Sequence, residues 1–309
     1  MKGNKDGNPA AAGLAFVKMH GLGNDYVYVD RFAETTPFSA AALAPLISDR
    51  HRGVGGDGLI LIEPSTRAAA RMRMFNADGS ESEMCGNGVR CVAHLVVARG
   101  YAAAGEVTIE TGRGVLVVVV TPTGPRTSRV RVDMGAPLLR PDEIPVEGST
   151  DQERLVDADS AAIGQPSAWW EEAGLDPRMT CVSMGNPHVI YYCTAVEAIP
   201  LEKIGPLVET HSSFPRRINV HFVERQTEKR VKVRTWERGT GITQACGTGA
   251  SAVCVAGVLT GRTATAIEAE LPGGVLDLEW DGTGAVFMTG PAEEVYVGRW
   301  PAVLPHEEA

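Results

Sequence analysis

The sequence predicts an α/β (α+β) fold of two pseudo-symmetric domains, each a mixed, largely antiparallel sheet wrapped around a central apolar helix. Three observations carry this expectation. The chain has 309 residues, past the size at which a single core keeps growing efficiently. A Cys-Gly-x-Gly motif occurs twice, at Cys85 and at Cys246, each opening an apolar run that a glycine closes fifteen positions on. Strand-like segments then recur around both motifs at a nearly constant offset, close to the 161 residues (246 − 85) that separate the cysteines.

In chain order, Met1 to Gly13 reads as a mobile tail, because Asn, Asp and Pro interrupt any apolar stretch that could form a signal-peptide core. Near the start of each half, Gly23-Asn24 answers Gly185-Asn186. The stretch GVGGDG (Gly53 to Gly58) matches Gly-x-Gly-x-x-Gly literally, but the strand pattern LILIE follows it, so the helix that a dinucleotide site needs is missing and the stretch reads as a turn. LILIE (59–63) answers VHFVE (220–224), and RMRMFN (71–76) answers KVRTWE (232–237), which places Asn76 and Glu237 nine residues before their cysteines. The runs CGNGVRCVAHLVVARG and CGTGASAVCVAGVLTG carry Val, Ala, Leu and Cys where an exposed helix needs charge, so each is expected to be buried on all sides. Beyond them, VTIETGRGVL (107–116) answers IEAELPGGVL (267–276), alternating strands turning through glycine. Between the halves, residues 121–180 are rich in Pro, Gly, Ser and charge and hold the crossover with an insertion near 150–175. The expected organisation is a tail (1–13), an N-terminal half carrying Cys85 (14–129, with about 291–309 returning to it) and a C-terminal half carrying Cys246 (130–290).

Composition narrows the function. With 29 Lys and Arg against 38 Asp and Glu, the net charge of −9 repels a nucleic-acid backbone. No segment approaches the roughly 20 apolar residues of a membrane helix, so no membrane partner is expected. The six cysteines show no Cys-x-x-Cys spacing, which removes zinc ribbons and thioredoxin-type motifs; without an export signal they are expected to stay reduced. Cytoplasmic location and no bound metal follow as expectations.

If the halves are related by an approximate two-fold axis, Cys85 and Cys246 face each other across the cleft between them. Each sits at a helix N-terminus, where the backbone dipole favours a thiolate. The N–H groups bared by Gly86, Gly88, Gly247 and Gly249 suit an anion such as a carboxylate. A carboxylate between two acid/base groups is what removing a proton from one face of an α-carbon and returning it to the other requires. No lysine flanks either motif to form a Schiff base, so no cofactor is expected. Cys91, Cys181, Cys193 and Cys254 read as inert buried thiols. His188 reads either as a satisfied core histidine or as a neighbour of one thiol. Glu237 and Arg238 form a surface ion pair or, in a cleft, read an amine and a carboxylate. Asn24, Asn76, Asn186 and Asn219 are turn residues or, recurring at strand ends, line one cleft.

The motifs MHGLGNDYVYVD, FNADGSESEMCGNGVRC, VDMGAP, GNPH, WERGTGITQACGTGASA and MTGPAEEVYVG together resemble the diaminopimelate epimerase family, over about Phe16 to Gly298. The resemblance implies interconversion of LL- and meso-2,6-diaminopimelate in lysine and peptidoglycan precursor synthesis, with Cys85 and Cys246 as the acid/base pair. It implies that Gly86, Asn87, Gly247 and Thr248 surround the reacting carboxylate. Asn24, Asn76, Asn186, Asn219, Glu237 and Arg238 are then the substrate-binding side chains, with His188 and Glu237 tuning the thiols. A homodimer is implied, with Tyr296 on the last strand as an interface residue. Gly58 departs from members that carry Gln there. The alternatives are a proline or hydroxyproline racemase of the same layout, against which Asn87 stands where that group typically has His, and a thiol redox switch or binding protein.

Overall fold

A computed structural model describes residues 13–82, 86–147, 153–301 and 305. Cys85, residues 1–12 of the expected tail and residues 148–152 of the expected insertion lie outside the described residues. The first half runs β1 (Leu14–Gly21), β2 (Asn24–Asp30), α1 (Ala40–Ser48), β3 (Gly58–Glu63), β4 (Ala70–Asn76), β5 (Glu81–Ser82), α2 (Gly86–Ala98), β6 (Gly105–Thr111), β7 (Gly114–Gly124) and β8 (Thr127–Asp133). After α3 (Ala168–Ala173), the same order returns: β9 (Met179–Ser183), β10 (Pro187–Cys193), α4 (Leu201–Glu209), β11 (Asn219–Arg225), β12 (Arg230–Glu237), β13 (Gly241–Ile242), α5 (Gly247–Leu259), β14 (Ala266–Leu271), β15 (Gly274–Glu279) and β16 (Phe287–Trp300).

The pairing repeats as faithfully as the order. In the first half β2 and β3 are parallel across α1, and β4 and β6 are parallel across α2. In the second, β10 and β11 are parallel across α4, and β12 and β14 across α5. The remaining neighbours are antiparallel, giving one continuous mixed sheet. β16 joins the halves: Phe287 to Thr289 lie between β15 and β8, while Glu293 to Trp300 pair with β1 and close the first half into a barrel. The boundary expected at 129/130 falls inside β8, and that at 290/291 inside β16.

Each sheet wraps its helix as the composition requires. Val89, Cys91, Val92 and Val96 of α2 pack on Met72, Ile109, Val118 and Val130, and Val253, Cys254 and Val255 of α5 pack on Val231, Val233, Leu276 and Leu278. Burying one such Val or Leu contributes about 1.5–3 kcal/mol, so these helices are held by packing rather than by capping. Arg90 departs from the apolar pattern. It is fully buried within α2, where its guanidinium donates to the carbonyls of Gly86 and Pro291, tying the start of the helix to β16. The insertion is docked on the second half: Arg262, just past α5, donates to Asp157 at 2.6 Å and Asp176 at 2.8 Å and lies over the Tyr192 ring. Among the described residues no helix is long and apolar enough to cross a membrane.

Candidate active site

The two central helices begin side by side. A side-chain carbon at Gly86 would stand 3.2 Å from the Met288 methyl, and one at Gly247 3.2 Å from the Met288 sulfur, so β16 packs against bare backbone at both helix starts. Asn87 donates its amide to the Ala245 carbonyl at 3.2 Å, linking the two starts directly. Its buried Oδ1 has no partner among the described residues.

A cleft of about 1000 Å³ opens in front of these helix ends. Its wall is built from corresponding parts of the two halves: Gly86 and Asn87 with Cys246, Gly247 and Thr248, Asn24 with Asn186, and Asn76 with Glu237. Asn24 and Asn186 follow Gly23 and Gly185, whose φ values of +80° and +89° turn the chain tightly enough to aim the amides inward. Asn24 donates to Asp57 at 2.6 Å, and Asn76 donates to the Ser80 hydroxyl at 3.0 Å. Asn186 donates to the Thr248 hydroxyl at 3.2 Å.

Cys246 is the last residue before α5 and is buried. Burial, and then the neighbouring Glu237 carboxylate, push its thiol well above the ordinary range, against the Thr248 hydroxyl, whose oxygen is 3.6 Å from the sulfur, and the Gly249 N–H. The expectation that a helix N-terminus lowers this thiol's pKa is therefore corrected. The loss of water around a thiolate and the adjacent negative charge outweigh the helix end, whose favourable contribution is typically no more than about 2 kcal/mol. Glu237 is itself raised, chiefly by burial; hydrogen bonds from Thr243 and Cys246 oppose that, and the charge of Asp57 adds to it. Burial and Glu237 thus favour Cys246 as a thiol that donates to Glu237.

The other candidates divide. His188 is fully buried behind the cleft, where Asn186 and His221 take its ring nitrogens, and among the described residues hydrogen bonds connect it to the sulfur through Asn186 and Thr248. Asn219 is buried and splices strand ends, donating to the Pro187 carbonyl at 2.8 Å and accepting from the Arg238 N–H at 3.0 Å. Arg238 is exposed, and its guanidinium donates to the Arg216 carbonyl. Successive residues of an extended chain point to opposite sides; Glu237 lines the cleft and Arg238 does not. Cys91, Cys181, Cys193 and Cys254 are buried in the cores, and burial pushes Cys181, Cys193 and Cys254 up to about 12.

Several cleft residues escaped the sequence reading. Asp57 lies in the glycine-rich turn, accepting from Asn24 and pairing with Arg50 at 2.9 Å. Arg50 also pairs with Asp25 at 2.7 Å. Gly58 has no room for a side chain, since one would overlap the Phe75 carbonyl and touch the Tyr26 ring; Asp57 and Arg50 line the cleft beside it. Arg113, at the β6–β7 turn, reaches across to Gly185 of the other half. The one available signal was the aspartate within GVGGDG.

The family model described as diaminopimelate epimerase matches residues 16–139 and 180–295. The chain belongs to the diaminopimelate epimerase family. It is accordingly an isomerase. Diaminopimelate epimerase of Pelotomaculum thermopropionicum is 46% identical over 289 residues, covering 93% of this chain and 99% of the relative. That of Desulforudis audaxviator is 48% identical over 288 residues, with the same coverage. Solved structures share the fold at low identity. A phenazine biosynthesis protein of the PhzF family from Bacillus anthracis superposes with a TM-score of 0.67 at 18% identity, covering 93% of this chain and 98% of that one. A hydroxyproline epimerase from Agrobacterium vitis gives 0.59 at 14%, covering 93% and 90%.

Proposed function

We propose that this chain interconverts LL- and meso-2,6-diaminopimelate by a two-thiol acid/base mechanism without a cofactor, in lysine and peptidoglycan precursor synthesis. The observation that carries the reading is the pair of helix starts against Met288: Cys246 immediately precedes one, and Cys85 immediately precedes the other in sequence. Cys85, as thiolate, takes the α-proton from one face, and Cys246, held as a thiol by burial and Glu237, returns a proton to the other. In the reverse direction the roles exchange. Backbone donors of Gly86, Asn87, Gly247 and Thr248 are suited to the reacting carboxylate, on which negative charge develops.

The cleft lining suits a substrate with charged groups at both ends, because it carries Arg50 and Arg113 as well as Asp57, Asp78 and Glu237. Of the alternatives, the hydroxyproline-type reading has only fold likeness behind it. A cytoplasmic homodimer completes the proposal; Val295, Tyr296 and Val297 of β16 are exposed, which supports an interface there.

Replacement of either thiol tests the mechanism. Cys85→Ala and Cys246→Ala are each expected to lower epimerisation by about 10²-fold to 10⁴-fold, the usual worth of a positioned acid or base. A near-normal rate in either variant would sink the two-thiol scheme.

A further inference from the structure

Behind the cleft, one line of hydrogen bonds runs through the second half to Cys246. Thr235 Oγ1 of β12 meets His221 Nδ1 at 2.9 Å, and His221 Nε2 meets His188 Nδ1 at 2.9 Å. His188 Nε2 meets Asn186 Oδ1 at 3.1 Å, Asn186 Nδ2 meets Thr248 Oγ1 at 3.2 Å, and Thr248 Oγ1 lies 3.6 Å from Cys246 Sγ.

The direction of this chain follows from the chemistry of its members. A carbonyl oxygen only accepts, so His188 carries its proton on Nε2. Both imidazoles are fully buried, and burial holds both below the ordinary histidine range, His221 at about 3, so both are neutral at physiological pH. Neutral His188 must then accept at Nδ1, which makes His221 the donor through Nε2 and leaves its Nδ1 to accept the Thr235 hydroxyl. Asn186 donates to Thr248, whose own proton is left for the sulfur. Every donor points toward Cys246, an arrangement in which successive bonds polarise one another.

Two further observations set the chain apart from simple core filling. Gly249 packs directly against the His221 ring, where a side-chain carbon would overlap Cε1 and would stand 3.1 Å from the Cys246 sulfur, so the second glycine of Cys-Gly-x-Gly brings this imidazole to the helix start. Among the described residues of the first half the corresponding strand position is apolar. Ile60 occupies the place that corresponds to His221, inside the apolar core, and Asn24 there bonds Asp57 instead.

We propose that His221 is a positioning residue for Cys246: with Thr235 it fixes the Nε2–H tautomer of His188, so that the chain presents the Thr248 hydroxyl proton to the sulfur whenever Cys246 is a thiolate. The proposal rests on the reading of Cys246 as an acid/base group. The groups facing Cys246 are Glu237 from β12, which opposes the thiolate, and Thr248 and the Gly249 N–H of its own helix, which support it. Asp57 acts on Glu237, and His188 faces His221 and Arg238.

The test compares His221→Leu, the near-isosteric Thr235→Val and His221→Gln, whose amide can donate to His188 and accept from Thr235. Peptide-resolved alkylation of Cys246 by iodoacetamide is followed against pH in substrate-free protein, and the His188 tautomer is read by nitrogen-15 NMR. In the Leu and Val variants the alkylation midpoint is expected to rise by about one pH unit, a tenfold loss of thiolate at a given lower pH. The kcat is expected to fall about tenfold with KM within about twofold, the His188 tautomer to become mixed, and Gln to restore all three. An unmoved midpoint and tautomer in Thr235→Val, or equal loss with Gln and Leu, overturns the proposal. The midpoint and the tautomer need no substrate, so the chain can fail this test while the epimerase stands. Normal turnover by Cys246→Ala instead removes the reading beneath it.

Discussion

Glu237→Gln changes the charge at the site with little change of shape, and its effect on Cys246 has a definite sign. The glutamine keeps one carbonyl acceptor, replaces the second oxygen with an NH2 donor, and removes a negative charge at hydrogen-bond range of the sulfur. Two unit charges about 4 Å apart at an effective dielectric of ~20 interact by ~4 kcal/mol, equivalent to about three pH units. Water and ions in the open cleft screen this to about one to two units. A neighbouring anion disfavours the thiolate, so its removal lowers the thiol's pKa. The Cys246 alkylation midpoint, measured by peptide mapping against pH, is therefore expected to fall by about one to two units, with alkylation at least about tenfold faster at a fixed pH below it. Epimerisation is expected to fall at the same time, because the resting thiol has lost the partner that keeps it protonated. A midpoint that stays put or rises would refute the assignment of Glu237 as the charge that holds Cys246 as a thiol.

Gly249→Ala is expected to destabilise the fold by about 1–3 kcal/mol, an overpacking cost, because the His221 ring it strikes is fixed at both nitrogens; calorimetry showing no fall in Tm would contradict that packing. Oxidation is expected to join Cys85 to Cys246 and to stop turnover reversibly, since both thiols must reach one carbon. Peptide mapping that never finds this bridge under strong oxidant would count against close opposition.

The duplication was legible because it is written in spacing: the glycines, the alternating strands and the two Cys-Gly-x-Gly runs keep their offsets, and the structure returns the same strands in the same pairing. Asn24, Asn76, Asn186 and Glu237 were legible for the same reason, as strand-end residues that recur. Spacing does not record which way a side chain turns at a strand end, so Glu237 and Arg238, adjacent in sequence, were read together although only the first lines the cleft. Nor does it record depth. The helix start at Cys246 suggested an acidified thiol, whereas burial reverses the sign. Arg90 and His221 lie within otherwise apolar stretches, and although the pairing of LILIE with VHFVE already sets His221 against Ile60, spacing does not say what a buried imidazole bonds.

The central claim is tested most directly by incubating the reduced protein with LL-diaminopimelate in heavy water, without added cofactor, while following stereochemistry and α-deuterium together. The account predicts meso product carrying deuterium at the inverted carbon, since the thiol that returns the proton exchanges with solvent. Inversion without deuterium, or no inversion while proline or hydroxyproline exchanges, would contradict it.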